Sequence, residues 1–169
     1  MSYQKPYLLL QNTDFTLMGT AEVEKYFQRS MFYGCFPSMF HATGYAALYW
    51  KTPSLYNRDR SLFIKYIPII QRLSAAGWEP ITEAHTDNRV VYVERYGANY
   101  LTVFNDSTSA ATATLTINVG RFWRGALPTS VTITDEVRET VLATVPAAPT
   151  IAIPLSLKGE QATALRLSP

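Results

Sequence analysis

Residues 91–106 read VYVERYGANYLTVFND, and this stretch decides the fold. Val91, Val93 and Arg95 alternate with Tyr92, Glu94 and Tyr96; after a break, Leu101 and Val103 alternate with Thr102 and Phe104. Neighbouring side chains on a strand point to opposite faces, so a period of two predicts two strands. Gly97–Asn99 between them is turn chemistry, too short for a helical crossover, which makes the pair antiparallel. The same pattern continues outward. Leu115 and Ile117 alternate with Thr114 and Thr116, and further strands are predicted at 81–86, 131–134, 140–145, 150–155 and 162–167. Asn105–Ser109 supplies another turn, and a spacing of roughly 8 to 12 residues is that of a sandwich or barrel of about eight strands.

Upstream the composition changes. Of the 22 Phe, Tyr and Trp residues, 16 lie in 1–80, whereas 14 of the 19 threonines follow residue 80. β-Branched residues fit a pleated, half-buried surface, so the two parts have different architectures. The boundary falls near Pro80: an aromatic-rich helical region over 1–79 and an antiparallel β-sandwich over 80–169. Residues 6–12 read as a short apolar strand. A helix is predicted over 21–33, started by Thr20 with Glu22 and Glu24, striped by Val23, Tyr26, Phe27, Ser30 and Met31, and closed by Gly34. A second spans 55–76, with Leu62, Phe63, Tyr66, Ile69, Ile70 and Leu73 on one face, Pro68 as a kink and Gly77 as a left-handed cap. Residues 35–53 are aromatic but aperiodic and read as a loop with one short helical turn. The fold class is therefore α+β, a short strand and two main helices packed on an antiparallel sandwich.

The whole chain has 169 residues and 19.0 kDa, with 47% hydrophobic and 17% charged residues. A chain of this size buries roughly 70% of its unfolded surface, so disorder is excluded. A complete (β/α)8 barrel, at ~250 residues, is excluded too. Fifteen basic against thirteen acidic residues give a net charge of +2 with no run of either sign, which leaves no nucleic-acid arm. Cys35 is the single cysteine, and His41 and His85 lack neighbours at ligand spacing, so the residues call for no disulfide, no metal and no cofactor. The apolar run Tyr7–Leu10 falls short of a signal-peptide core, and no stretch approaches ~18 apolar residues. The expectation is a soluble protein without a membrane partner.

Three further stretches join the opening one: VEKYFQRSMFYGCFPSMF at 23–40, YNRDRSLFIKYIPIIQRLSAAGWEPIT at 56–82, and the closing ALRLSP at 164–169. In this order they resemble the C-terminal part of TIM-barrel glycoside hydrolases, where the last barrel helices run into an antiparallel β-sandwich. The resemblance implies that the second helix packs along a barrel wall and that Ala-Gly-Trp-Glu-Pro enters the first sandwich strand. It also implies that Asn12 and Asp14 stand at the C-terminal, sugar-facing end of a barrel strand. The departure matters equally. Only about 80 residues precede the sandwich, against ~250 for a barrel, and the strands that hold the family's catalytic acids have no counterpart. No catalytic residue is assigned by resemblance.

Glycosidic cleavage needs two carboxylates ~5 to 9.5 Å apart. The helical region offers Asp14, Glu22, Glu24, Asp59 and Glu79. Glu22 and Glu24 diverge on a helix; Asp59, between Arg58 and Arg60, reads as an arginine-paired carboxylate near a helix start. Glu79 reads as a partner for backbone amides at the junction, or as a buried acid. No Gly-x-Ser-x-Gly elbow occurs, and Cys35 between Tyr33 and Phe36 reads as a small buried hydrophobe. The carbohydrate-binding candidates are Asn12, Asp14, Tyr49, Trp50, Phe122 and Trp123. Asn12 and Asp14 also fit ordinary turn chemistry. The cluster Tyr45, Tyr49, Trp50 and Tyr56 fits core, a self-associating face or a platform for sugar rings. Phe122 and Trp123, flanked by Arg121 and Arg124, fit a ligand loop or a plug over one end of the sandwich. The expected function is a non-catalytic accessory region of a glycoside hydrolase, structural or binding an oligosaccharide or polysaccharide. The alternative is a stand-alone interaction protein that forms a homo-oligomer, or binds a protein, through its aromatic N-terminal surface.

Overall fold

The computed structural model describes residues 8–12, 14–40, 47–123 and 127–169, with side chains described for 14–39, 49–123 and 127–169. Strand β1 (Leu8–Asn12) pairs in parallel with β2 (Phe36–Phe40), Leu8 opposite Phe36 and Asn12 opposite Phe40. Parallel neighbours need a crossover, and helix α1 (Thr20–Phe32) supplies it, so β1-α1-β2 is one β-α-β unit. α2 (Ala47–Lys51) and the 24-residue α3 (Pro53–Ala76) follow. Pro53 suits the first turn of α3, where its fixed φ is already helical and its missing N–H is not needed. The predicted stripes are buried, except that Phe63 of α3 is only half-buried: Val23, Tyr26, Phe27, Ser30 and Met31 on α1, and Leu62, Tyr66, Ile69, Ile70 and Leu73 on α3.

Two local expectations are corrected. The cap of α1 is the extended Gly19, with no side-chain bond, and Thr20 is the first helical residue. Part of the predicted loop over 35–53 is strand β2. A strand covered on both faces shows no alternation, and Pro37 argues against one on sequence grounds. Tyr26 replaces some of the missing ladder: its hydroxyl donates to the Ser38 carbonyl at 2.8 Å and accepts from the Ser38 N–H at 2.7 Å. His41 and Tyr45 lie outside the described residues.

The remaining strands are antiparallel and form two sheets. They are β3 (Trp78–Glu79), β4 (Ala84–Thr86), β5 (Val91–Tyr96), β6 (Tyr100–Asn105), β7 (Ala111–Asn118), β8 (Ser130–Asp135), β9 (Thr140–Pro146), β10 (Thr150–Leu157) and β11 (Ala162–Ser168). The larger sheet has the order β3-β5-β6-β11-β8-β9 and the smaller β10-β7-β4. β3, absent from the sequence expectation, is only two residues long and pairs Trp78 with Tyr96. A short helix, α4 (Val119–Phe122), leaves β7, with the Asn118 side chain accepting from the Arg121 N–H.

Alternation on the larger sheet makes two cores. Leu101, Val103, Leu165 and Leu167 point one way and pack with Leu115, Ile117, Ile151 and Ile153 of the smaller sheet. Tyr96, Phe104, Ala162 and Ala164 point the other way and join Phe27, Met31, Tyr66 and Leu73 of the helices. The larger sheet is thus the middle of three layers, which is why β6 is buried on both faces. Small alanines on β11 let α1 approach closely. Two hydroxyls from this sheet, Tyr96 at 2.7 Å and Thr102 at 2.8 Å, donate to the carbonyl of Phe32 at the end of α1. That terminal carbonyl is one of those a helix leaves without an intrahelical donor. Gly34, at φ 63°, turns the chain away immediately afterwards, and a Cβ there would stand 2.5 Å from the Tyr96 ring.

Candidate functional site

The first candidate region lies where the segment after β1, together with α2, meets α3. Asp14 accepts from the Thr16 N–H at 2.9 Å, the turn chemistry that Asn-Thr-Asp suggests. The Asn12 side chain lies outside those described. Tyr49 is buried, its ring edge-on to Phe15 at 5.2 Å, and its hydroxyl donates to Asp59 at 3.0 Å. Asp59 is wholly buried and takes both Nε (2.7 Å) and Nη2 (2.9 Å) of Arg58. Arg58 reaches on to the Met18 carbonyl at 2.8 Å. The bond to Asp59 raises the Arg58 pKa, and burial, followed by the same carboxylate, pushes the Tyr49 phenol well above its ordinary range.

Both Asp59 oxygens are therefore occupied, and the group has no open side from which to attack a sugar. Its arrangement fastens the segment after β1 to α3. Tyr49 offers no ring face to solvent, whereas Trp50 is 54% exposed and leans on Phe63 with centroids 5.6 Å apart. Glu24 accepts from Tyr66 (2.7 Å) and Lys65 (3.0 Å). Burial acts to raise its pKa, but these bonds outweigh it and the net direction is down. Glu79 lies in β3 opposite Arg95, Cys35 is buried, and His85 is exposed on β4. Among the described residues no three His, Cys, Asp or Glu side chains gather as for a metal.

The second candidate sits at α4. Phe122 is buried in the inter-sheet core, with the Arg95 guanidinium 4.3 Å from its ring centre. Arg95 also donates to the Phe122 carbonyl at 2.8 Å and to Gly97 at 2.9 Å. Trp123 is half-buried and edge-on to Phe122. Arg124 is outside the described residues. The structure does not bring the two candidate groups together: Tyr49 and Trp50 belong to the helical layer, Phe122 and Trp123 to the core between the sheets.

A third arrangement escaped the sequence reading. Between the last turn of α1 and strand β5 lies a cleft of about 430 Å³ lined by Arg29, Tyr33, Tyr92, Glu94, Phe104 and Asp106, among others. Tyr92 stands opposite Phe104 in the β5–β6 register, and both tyrosines are exposed, Tyr33 at 37% and Tyr92 at 50%. Arg29 lies over the Phe104 ring at 5.2 Å and pairs with Asp106 at 3.6 Å. Glu94 accepts from the Trp78 indole N–H at 2.6 Å. The one signal in the sequence is alternation, which puts Tyr92 and Glu94 on one face of β5. Nothing local says that α1 leaves that face uncovered.

No protein-family model matches the chain, and no curated protein does. Solved structures do. An α-N-acetylgalactosaminidase of Bacillus halodurans, so assigned provisionally, superposes with a TM-score of 0.51 at 14% identity, covering 91% of this chain and 33% of its own. The α-galactosidase I of Mortierella vinacea gives 0.46 at 13% identity, with 89% and 36% covered. A β-L-arabinopyranosidase of Geobacillus stearothermophilus gives 0.43 at 15%, with 91% and 31% covered. The chain spans about a third of the length of these structures. At 14% identity the likeness to the first is one of fold: this chain shares the architecture of about a third of that structure.

Proposed function

We propose that the chain is a non-catalytic part of a glycoside-hydrolase-like protein. In this reading its two sheets form the sandwich that the sequence suggests, and the β-α-β unit is the end of a barrel set against it. One observation carries the reading: the parallel pair β1–β2, too small to be stable alone, hangs on a helical layer whose core runs on into the larger sheet. The sheets thereby act as a buttress that fixes where the strand ends stand. The carboxylates of the helical layer suit that role. Asp59 is held by Arg58 and Tyr49, Glu24 by Tyr66 and Lys65, and Asp14 caps its own turn.

The test is an assay of the full chain for reducing-sugar release from soluble β-glucan, xylan, arabinan and galactan. The reading predicts no release above the buffer rate. Release that scales with protein and disappears in Asp59→Asn or Asp14→Asn would overturn it. The rival reading, self-association, is favoured by one observation, the exposure of Leu17 (84%), Trp50 (54%) and Ile64 (69%) on the helical side. A concentration-dependent sedimentation coefficient that Trp50→Ala abolishes would favour it.

A further inference from the structure

The geometry points to the cleft between α1 and β5 as a binding site for a neutral saccharide, a reading that rests on the glycoside-hydrolase-like function proposed above. Its volume, about 430 Å³, lies in the ~300 to 1,000 Å³ range of small-molecule sites. Its walls pair apolar ring surface with polar groups of both signs. Tyr33 and Tyr92 stand exposed at the rim, Phe104 is buried at its base, and Arg29, Asp106 and Glu94 bring a donor and two acceptors.

A pyranose presents the matching surface: C–H faces that pack on aromatic rings, and a rim of hydroxyls that both donate and accept. The charge pattern argues against an anion, which would face Glu94 and Asp106 while the one cation, Arg29, is already paired with Asp106. The walls are also pre-ordered: Arg29 is held between the Phe104 ring and Asp106, and Glu94 is anchored by Trp78. Pre-ordered groups lose less entropy on binding. This site is distinct from the candidates at Trp50 and Trp123, because its residues come from α1 and the residue that follows it, from β5, and from β6 and the residue that follows it.

Trp78, bonded to Glu94, makes the cleft readable by tryptophan fluorescence. The full chain is titrated with xylohexaose, cellohexaose, arabinohexaose and galactotriose, alongside Tyr92→Ala, Tyr33→Ala, Trp50→Ala and Trp123→Ala. The expected result is a saturable change with at least one of the four. That binding weakens about 10-fold in Tyr92→Ala and in Tyr33→Ala, and persists in the two tryptophan variants. Circular dichroism melts of the tyrosine variants are expected to match the parent, since both side chains are exposed. Binding that survives both tyrosine changes but is lost in Trp50→Ala or Trp123→Ala would overturn this site while leaving a carbohydrate-binding role elsewhere. No saturable response to any of the four would overturn the site and leave the buttress reading to the hydrolysis assay.

Discussion

Removing the two hydroxyls that meet the Phe32 carbonyl tests how the larger sheet holds α1. Tyr96 and Thr102 donate to the same acceptor, at 2.7 and 2.8 Å, inside the core. Tyr96→Phe and Thr102→Val each delete one donor with little change of shape, and each leaves the carbonyl one partner. A net hydrogen bond of this kind contributes about 0.5 to 1.5 kcal/mol, which sets the cost of each single change. In the double variant the buried carbonyl has lost both. Its desolvation, about 1 to 3 kcal/mol, now goes uncompensated and appears only there. The cycle should therefore show a coupling of about 1 kcal/mol or more, measured by urea unfolding of the four proteins. Strict additivity, or a double variant as stable as the parent, would mean that the two hydroxyls do not share the Phe32 carbonyl as a buried acceptor.

Four other outcomes follow from contacts elsewhere in the core and on the helical face. Gly34→Ala combines a left-handed φ with a Cβ driven into the Tyr96 ring, so urea unfolding should show a loss of about 1 to 3 kcal/mol. Asp59→Ala strips Arg58 and Tyr49 of their shared partner, and breaking such a pair costs about 3 to 5 kcal/mol, lower here because Arg58 is partly exposed. Tyr49, Tyr66 and Tyr96 are all raised above the ordinary phenol value of 10.0, chiefly by burial. Their contribution is full below pH 10 and is lost as pH climbs above it, so tyrosinate absorbance should rise with unfolding and not before. Glu24 works in the opposite direction: its lowered pKa adds stability that disappears as pH falls below 4.5, and Glu24→Gln should flatten that acid limb of a thermal-melt profile.

Apart from the two-residue β3, too short to alternate, the strands of the two sheets were legible because they alternate, as Val91–Tyr96 does, and because Gly97–Asn99 permits only a tight turn. Helices α1 and α3 were legible through stripes such as Leu62, Tyr66, Ile69, Ile70 and Leu73. β2 was not, because a parallel strand covered on both faces has no polar beat and contains Pro37. Nor did composition separate Trp50, half open to water, from its neighbour Tyr49, buried against Phe15. Aromatic density indicates stickiness; burial depends on what packs above it. The cleft beside β5 was hidden for another reason. Arg29, Tyr92 and Asp106 meet only after α1 has settled on the larger sheet, and no local signal reports where a helix stops covering one.

In the proposed reading the helices and the larger sheet form one structural unit, so that the sheets hold the β-α-β segment in place. Native-state hydrogen exchange of the full chain separates one unit from two. If the reading holds, amides of α1 and α3 exchange with the same opening free energy as those of β6 and β11, and both fall in parallel with added denaturant. If α1 and α3 open at a much lower free energy while β6 and β11 stay protected, the sheets do not buttress the helices and the account fails.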